Sequence, residues 1–132
     1  MTIKIHDRFE ESFVVSDHIY SGFISMFRDK NPLHTEEEFA KERGFEDKVM
    51  HGNILNGFIS YFIGECLPMK NVIIHTQSIQ FKNPVYLNDT VFFEGVVTNI
   101  FESVNAIEFK FSFKNKQLKE VAKGKIQIGI LT

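Results

Sequence analysis

The residues from Gly52 to about Cys66 constrain the fold more than any other part of the chain. Their apolar side chains recur at helical spacing but cover more than one face of the predicted helix, and Pro68 ends it. These apolar residues are Ile54, Leu55, Phe58, Ile59, Phe62 and Ile63. Such a helix cannot lie on a protein surface, so the rest of the chain must enclose it.

The residues after Pro68 favour β-structure. Four long strands are predicted, over residues 72–86, 91–101, 106–113 and 121–130. The third is the clearest, because apolar and polar side chains alternate along it. Asn88-Asp89 and Asn115-Lys116 provide residues typical of turns between these strands.

The first part of the chain predicts a strand followed by helices. The opening stretch up to Val15 is strand-like, and Ser16 is placed to cap a helix that carries Ile19 and Phe23 on one face. After an Asn-Pro loop, Thr35 and Glu38 have the spacing of a capping box. We expect a short helix from Thr35 to Arg43, ended by Gly44.

Together these elements predict an α+β fold, in which a curved antiparallel β-sheet wraps around a long central α-helix. At 132 residues the chain has the length of one ordinary domain, and no linker, repeat or low-complexity tract divides it. We therefore expect residues 1–132 to form a single domain.

Charge and cysteine content exclude several classes of protein. The net charge of -2 and the pI of about 6.2 give no general attraction to nucleic acid. No apolar run approaches the roughly 18–20 residues of a membrane span, and residues 1–7 lack the apolar core of a signal peptide. The single Cys66 is typical of a reducing compartment, and a small buried thiol is its simplest interpretation. We expect a soluble cytoplasmic protein.

The chemistry is concentrated in the run from Asp29 to His34. Asp29 and His34 flank an Asn31-Pro32 turn, and the fixed φ of Pro32 can bring a carboxylate and an imidazole to one small space. A carboxylate can take a proton from water while an imidazole orients the same water. Asp29 and His34 are the predicted catalytic pair, with Asn31 and Pro32 as loop residues that support them. Alternatively, Asp29 caps the turn and His34 is only a hydrogen-bonded loop histidine.

A second motif, His51-Gly52, stands at the start of the predicted central helix. A glycine lets a substrate oxygen approach its backbone N–H, and the helix N-terminus adds a favourable dipole. Gly52 is therefore the third candidate catalytic residue, as donor to a developing oxyanion. For His51 we favour a packing or hydrogen-bonding role over catalysis.

These motifs, in this order, resemble the MaoC-like hotdog-fold dehydratase family, and within it the short single-domain (R)-specific enoyl-CoA hydratases. The resemblance covers essentially the whole chain. It is carried by Asp-Lys-Asn-Pro-Leu-His at 29–34, Phe-Ala at 39–40, His-Gly at 51–52, Gln-Ser-Ile-Gln-Phe-Lys-Asn-Pro-Val at 77–85 and Asn-Asp at 88–89.

The resemblance implies a hydro-lyase that adds water in syn fashion to a trans-2-enoyl thioester, or removes it from a (3R)-hydroxyacyl thioester. The helical face that starts at Gly52 continues through Asn56, Ile59, Ser60 and Ile63, which we predict to bind the acyl group; the resemblance places Ser60 and Ile63 in the acyl pocket. It also implies a homodimer. No metal or separate cofactor is expected, since coenzyme A or the phosphopantetheine of an acyl carrier protein is part of the substrate.

Two other functions fit the same fold. A hotdog thioesterase would use a carboxylate on the central helix, but Glu65 lies near the end of that helix. A non-catalytic acyl-binding subunit would have no need to retain Asp29, Asn31, His34 and Gly52 together.

Overall fold

Five antiparallel strands form one sheet in the computed structural model, which describes residues 3–132. Along the sheet the strands follow the order β1-β3-β4-β5-β2, which leaves β1 and β2 at its edges. The strands are β1 (Arg8–Val14), β2 (Val72–Phe81), β3 (Thr90–Phe101), β4 (Ala106–Lys114) and β5 (Glu120–Ile130).

The central helix α4 (Asn53–Tyr61) continues into a π-helical turn, Phe62–Cys66, and both lie against the sheet. Ile59 and Phe62 are fully buried, and the Phe62 ring packs within 5.7 Å of the Phe109 ring of β4, centroid to centroid. The predicted enclosed helix and α+β architecture are therefore confirmed. No helix within residues 3–132 is long and apolar enough to cross a membrane.

The first helix, α1 (Asp17–Phe27), is capped at both ends by residues next to it in the chain. The Ser16 side chain accepts a hydrogen bond from the Ile19 N–H at 3.3 Å, which confirms the predicted cap. Arg28 adopts a left-handed conformation with φ of 63°, and its N–H donates to the Ile24 carbonyl at 2.8 Å. This turn directs the chain out of the helix and places Asp29 at the start of the loop.

The predicted capping box at Thr35 and Glu38 is wrong. Helix α2 (Pro32–Thr35) starts earlier, because Asn31 caps it and Pro32 occupies its first turn. Thr35 is consequently the last residue of α2, and its hydroxyl donates to the Lys30 and Asn31 carbonyls at 3.2 Å each. The following helix α3 (Glu37–Lys41) has no side-chain cap, and Gly44 follows it with φ of 92°.

The predicted strand over residues 72–86 is too long, since β2 ends at Phe81. The N–H groups of Lys82 and Asn83 both donate to the Val121 carbonyl, at 2.9 and 3.3 Å, and Pro84 has no N–H to extend a strand ladder. Residues 82–85 instead form a loop whose Val85 carbonyl accepts from the Met50 N–H at 2.8 Å. This loop forms one wall of a cavity.

Candidate active site

The loop from Asp29 to His34 is shaped by side-chain bonds to its own backbone. The Asn31 side-chain oxygen accepts from the Leu33 N–H at 3.0 Å, and the Asp29 Oδ1 accepts from the Asn31 N–H at 3.1 Å. Pro32 occupies the first turn of α2 with its preset φ. The second carboxylate oxygen of Asp29, Oδ2, is left to face His34.

Asp29 and His34 lie close together, and a hydrogen bond of the His34 ring shows which of its nitrogens carries a proton. His34 Nδ1 lies 2.7 Å from the Val49 carbonyl oxygen, which can only accept, so Nδ1 carries a proton and Nε2 has the lone pair of the neutral ring. Nε2 is 4.0 Å from Asp29 Oδ2. That separation is too long for a direct hydrogen bond but suits one water molecule bound to both atoms. The Tyr20 hydroxyl donates to the His34 carbonyl at 2.6 Å and fixes its backbone.

His51 contacts both Asp29 and His34. Its Nε2–H donates to the Asp29 backbone carbonyl at 2.8 Å, and its ring stacks on the His34 ring with centroids 4.0 Å apart and an angle of 27° between the planes. The residue is only 3% exposed. Its Nδ1 is a buried acceptor without a hydrogen-bond partner among the residues described. His51 therefore has the hydrogen-bonding and packing role favoured from the sequence.

Burial lowers the pKa of His51 below its ordinary value of 6.5, and the neighbouring His34 lowers it further, against the opposing bond to the Asp29 carbonyl. The unfolded chain therefore takes up this proton first. The resulting stability is fully present above about pH 6.5 and is lost as the pH falls below that value.

We expect the free energy of unfolding to be lower at pH 5.5 than at pH 7.5, with the loss from His51 setting in as the pH falls through about 6.5. A His51→Gln variant keeps a donor for the Asp29 carbonyl but has no titrating ring, so its stability should fall less over the same range. Urea unfolding of both proteins at the two pH values measures the difference. Identical pH dependence would show that His51 does not carry this effect.

Gly52 is the N-cap residue of α4 and lines the same cavity as Asp29 and His34. Its N–H donates no hydrogen bond within residues 3–132. The Phe81 ring lies directly over Gly52, because a Cβ added there would be 2.8 Å from the Phe81 Cε1 atom. The absence of a side chain at Gly52 therefore serves two purposes: it leaves the N–H accessible and makes room for Phe81.

The cavity has a volume of about 460 Å³ and is enclosed by the catalytic loop, the start of α4 and the loop after β2. Its lining includes Asp29, His34, His51, Gly52, Phe81 and Val85. Asn56 lines a second cavity next to this one, Ile59 and Ile63 are buried in the core, and Ser60 lies on the exposed side of α4. The acyl-binding role of these four residues remains a prediction.

The ligand atoms of Asp29, His34 and His51 lie within 4.8 Å of one another, which raises the question of a metal. The lone pairs of two stacked rings lie in the two ring planes, which are only 27° apart here, so the nitrogens do not both point at one ion about 2.0–2.1 Å away from each. His51 Nε2 is already bound to the Asp29 carbonyl. The arrangement suits water held between Asp29 and His34 better than a metal ion.

Comparison with known proteins places this geometry in a family. The family model described as "MaoC like domain" matches residues 8–120. The chain belongs to the MaoC-like family. The solved structure of the (R)-hydratase from A. caviae involved in PHA biosynthesis superimposes on 98% of both chains, with a TM-score of 0.90 and 26% identity. The expected hotdog fold is thereby confirmed.

Two curated relatives of this MaoC-like chain carry enzyme names. The (R)-specific enoyl-CoA hydratase of Aeromonas caviae is 38% identical over 82 residues, which is 62% of this chain and 61% of that protein. The mitochondrial 3-hydroxyacyl-[acyl-carrier-protein] dehydratase of Arabidopsis thaliana is 31% identical over 114 residues, which is 85% of this chain and 66% of that protein. The chain thus spans less than two thirds of the length of these relatives.

Three contacts of this MaoC-like site could not be found from sequence. The Tyr20 hydroxyl bonds to the His34 carbonyl, and the Val49 carbonyl bonds to the His34 ring; no nearby sequence pattern indicates either bond. Phe81 contacts Gly52 from a strand on the other side of the cavity. Phe81 did fall within the segment 77–85 that carried the family resemblance. That resemblance was the one available signal for it.

Proposed function

We propose that the protein is a hydro-lyase that adds water to a trans-2-enoyl thioester to give a (3R)-hydroxyacyl thioester, or catalyses the reverse dehydration. One observation carries the proposal: Asp29 Oδ2 and His34 Nε2 stand 4.0 Å apart in a cavity that is also lined by Gly52. The enzyme names of the Aeromonas and Arabidopsis relatives support the same reaction type.

In the proposed mechanism, Asp29 and His34 hold one water molecule beside C3 of the substrate. The water oxygen bonds to C3 while Asp29 accepts its proton, and His34 Nε2 orients the water through its lone pair. The proton then passes to C2 on the same face, so one water is added across the double bond. The Gly52 N–H binds the thioester oxygen as negative charge develops there, and a donor of this kind is typically worth about 2.7–4 kcal/mol in the transition state.

No separate cofactor is part of the proposal, because every step uses a group of the chain or of the substrate. The relatives named above differ in their carrier, coenzyme A in one and an acyl carrier protein in the other. Both kinds of thioester are therefore the substrates to assay. The thioesterase alternative would need a carboxylate on the central helix, but Glu65 does not line the cavity: it is exposed and pairs with Lys70 at 3.4 Å.

The deciding experiment mixes the purified protein with crotonyl-CoA and follows absorbance at the enoyl thioester band. We expect the absorbance to fall without release of free thiol, which a thiol reagent measures in parallel. Release of coenzyme A at the same rate would identify a thioesterase instead. Absence of any reaction with crotonyl-CoA, longer enoyl-CoA substrates and the corresponding acyl-carrier-protein thioesters would identify a non-catalytic module.

A Gly52→Ala variant should lose about 10- to 100-fold in kcat/KM, because the new methyl group meets the Phe81 ring and shifts the N–H relative to the thioester oxygen. A Gly52→Ala/Phe81→Leu double variant removes the clash and should recover part of the loss. Enoyl-CoA hydration assays on both variants test this. Native activity in the single variant would show that neither the space nor the position of this N–H matters.

We also propose that two copies of the chain form a homodimer. Edge strand β2 extends over ten residues with Ile73 and Phe81 about half exposed, and an uncovered edge of this kind can pair with another strand. Pairing of two β2 edges would join the two sheets into one. Light scattering at micromolar concentration should give twice the mass of the chain; a fully active monomer would contradict the proposal.

A further inference from the structure

A second and larger cavity, of about 980 Å³, opens next to the catalytic one. Both cavities are lined by Phe23, Asp29, Asn53 and Ile54, so they adjoin each other at the catalytic carboxylate. The distal part of an acyl group whose reacting carbons lie between Asp29 and Gly52 would lie beside the second cavity. Most of that cavity is lined by α1 and the first half of α4.

Three amide side chains form a hydrogen-bonded series, of which Asn53 and Asn56 line this cavity and Gln77 joins them from β2. The Gln77 Nε2 donates to the Asn56 Oδ1, and the Asn56 Nδ2 donates to the Asn53 Oδ1 at 2.8 Å. Asn56 is half-buried and the other two residues are exposed. Each bond runs in the same direction, so the series ends on the Asn53 amide nitrogen, which donates no hydrogen bond within residues 3–132.

The position of Asn53 in the fold shows where this free donor lies relative to the two cavities. Asn53 is the first residue of α4, directly after Gly52, and it lines both cavities. A hydrogen-bond donor where the two cavities adjoin would meet a bound acyl group just beyond its reacting carbons. A plain alkyl chain passing this point would remove water from the amides without replacing its hydrogen bonds, which is unfavourable.

The charges around the second cavity decide which oxygen suits the donor. The Asp29 carboxylate lines it, and its lining contains neither lysine nor arginine. A carboxylate on the substrate would therefore meet a like charge with no lysine or arginine in the lining to offset it, and His18 is the one basic side chain there. A hydroxyl or carbonyl oxygen accepts the same hydrogen bond without that repulsion.

We infer that the second cavity receives the distal part of the acyl group, and that the amide series Asn53–Asn56–Gln77 selects acyl groups bearing a neutral oxygen, a hydroxyl or a carbonyl, over plain alkyl chains. The inference rests on the proposed function, because it concerns the substrate of the same catalytic site.

The test compares trans-2-hexenoyl-CoA with its 5-hydroxy analogue, which differ only in the distal oxygen. The wild-type protein should have a kcat/KM about 10-fold higher for the hydroxylated substrate, the value of roughly one net hydrogen bond. Equal values, or a preference for the alkyl substrate, would overturn the inference while leaving the hydratase proposal intact. Failure to hydrate either substrate or crotonyl-CoA would instead count against the proposed function.

An Asn56→Leu variant assigns the preference to the amide series, because it removes both hydrogen bonds of the series at once. Its ratio of kcat/KM between the two substrates should fall towards one, because the Asn53 amide loses the bond from Asn56 that holds its nitrogen towards the acyl oxygen. A ratio measured within one protein cancels general losses of folding or catalysis. Gln117→Leu makes the same kind of change in an exposed loop and should keep the wild-type ratio.

Two results would assign the amides another role. A wild-type ratio in Asn56→Leu would show that the series does not contact the acyl group. A change from dimer to monomer by light scattering, with the ratio unchanged, would place the amides between copies of the chain. If Asn56→Leu does not fold, Gln77→Met on the exposed edge strand removes one bond of the series and should lower the ratio in the same direction.

Discussion

The Asp29→Asn variant is expected to lose at least about 100-fold in the rate of enoyl thioester hydration, because an amide cannot accept the proton that water gives up. The fold should persist: the Asp29 Oδ1 bond from the Asn31 N–H at 3.1 Å can be kept by an amide oxygen. Its carboxylate is also half exposed, so no buried charge is altered. Steady-state kinetics with crotonyl-CoA and a thermal unfolding curve measure both expectations.

His34→Ala should cause a loss of similar size, at least about 100-fold, because it removes the lone pair that orients the water. A His75→Ala variant changes a histidine on the exposed edge strand, outside the catalytic cavity, and should retain native turnover. Near-native activity in either Asp29→Asn or His34→Ala, with the protein folded, would show that the catalytic pair is assigned wrongly.

Replacing Gly124 by alanine is expected to cause the largest loss of stability. Gly124 lies in β5 beside β2, and an added Cβ would overlap the Ser78 carbonyl oxygen of β2 and lie 2.8 Å from the Phe111 Cζ atom. A backbone oxygen cannot rotate away as a side chain can, so the two strands must separate. We expect a loss of about 3 kcal/mol or more in the free energy of unfolding.

Urea unfolding of Gly124→Ala and Gly64→Ala forms a matched comparison. A Cβ at Gly64 meets no atom within 4 Å, so that variant should be as stable as the wild type or slightly more stable. Equal stability of the two variants would mean that β2 can move away from β5 without cost. Because β2 carries Gln77 and Phe81, Gly124→Ala should also lower activity in whatever fraction remains folded.

The parts of the fold that depend on residues close together in the chain could be predicted from the sequence. The Ser16 cap and the enclosed central helix follow from residues a few positions apart. The Thr35 capping box failed because Asn31 and Pro32 begin a helix sooner, which leaves the Thr35 hydroxyl inside it. The strand order was beyond such reasoning, since pairing of β2 with β5 joins residues far apart in the chain.

In the candidate site too, contacts within one short segment could be predicted from the sequence and contacts between distant segments could not. Asp29 and His34 share one short loop, so their proximity follows from the sequence. The bond from His51 to the Asp29 carbonyl spans 22 residues, and no local pattern indicates its partner. The amide series is similar: the polar residues Asn53 and Asn56 stand out on an apolar helix, but their link to Gln77 depends on how β2 lies beside α4.

The His51 bond ends on a main-chain oxygen, which has a practical consequence for redesign of this protein. No side chain introduced at position 29 can remove that oxygen, so the catalytic loop stays anchored whatever residue replaces Asp29. An engineer can therefore vary position 29 for new chemistry with this anchor in place, and side chains that still accept from the Asn31 N–H also keep the second bond that shapes the loop. His51 is the wrong place to randomise, because every substitution without a suitable donor releases the loop itself.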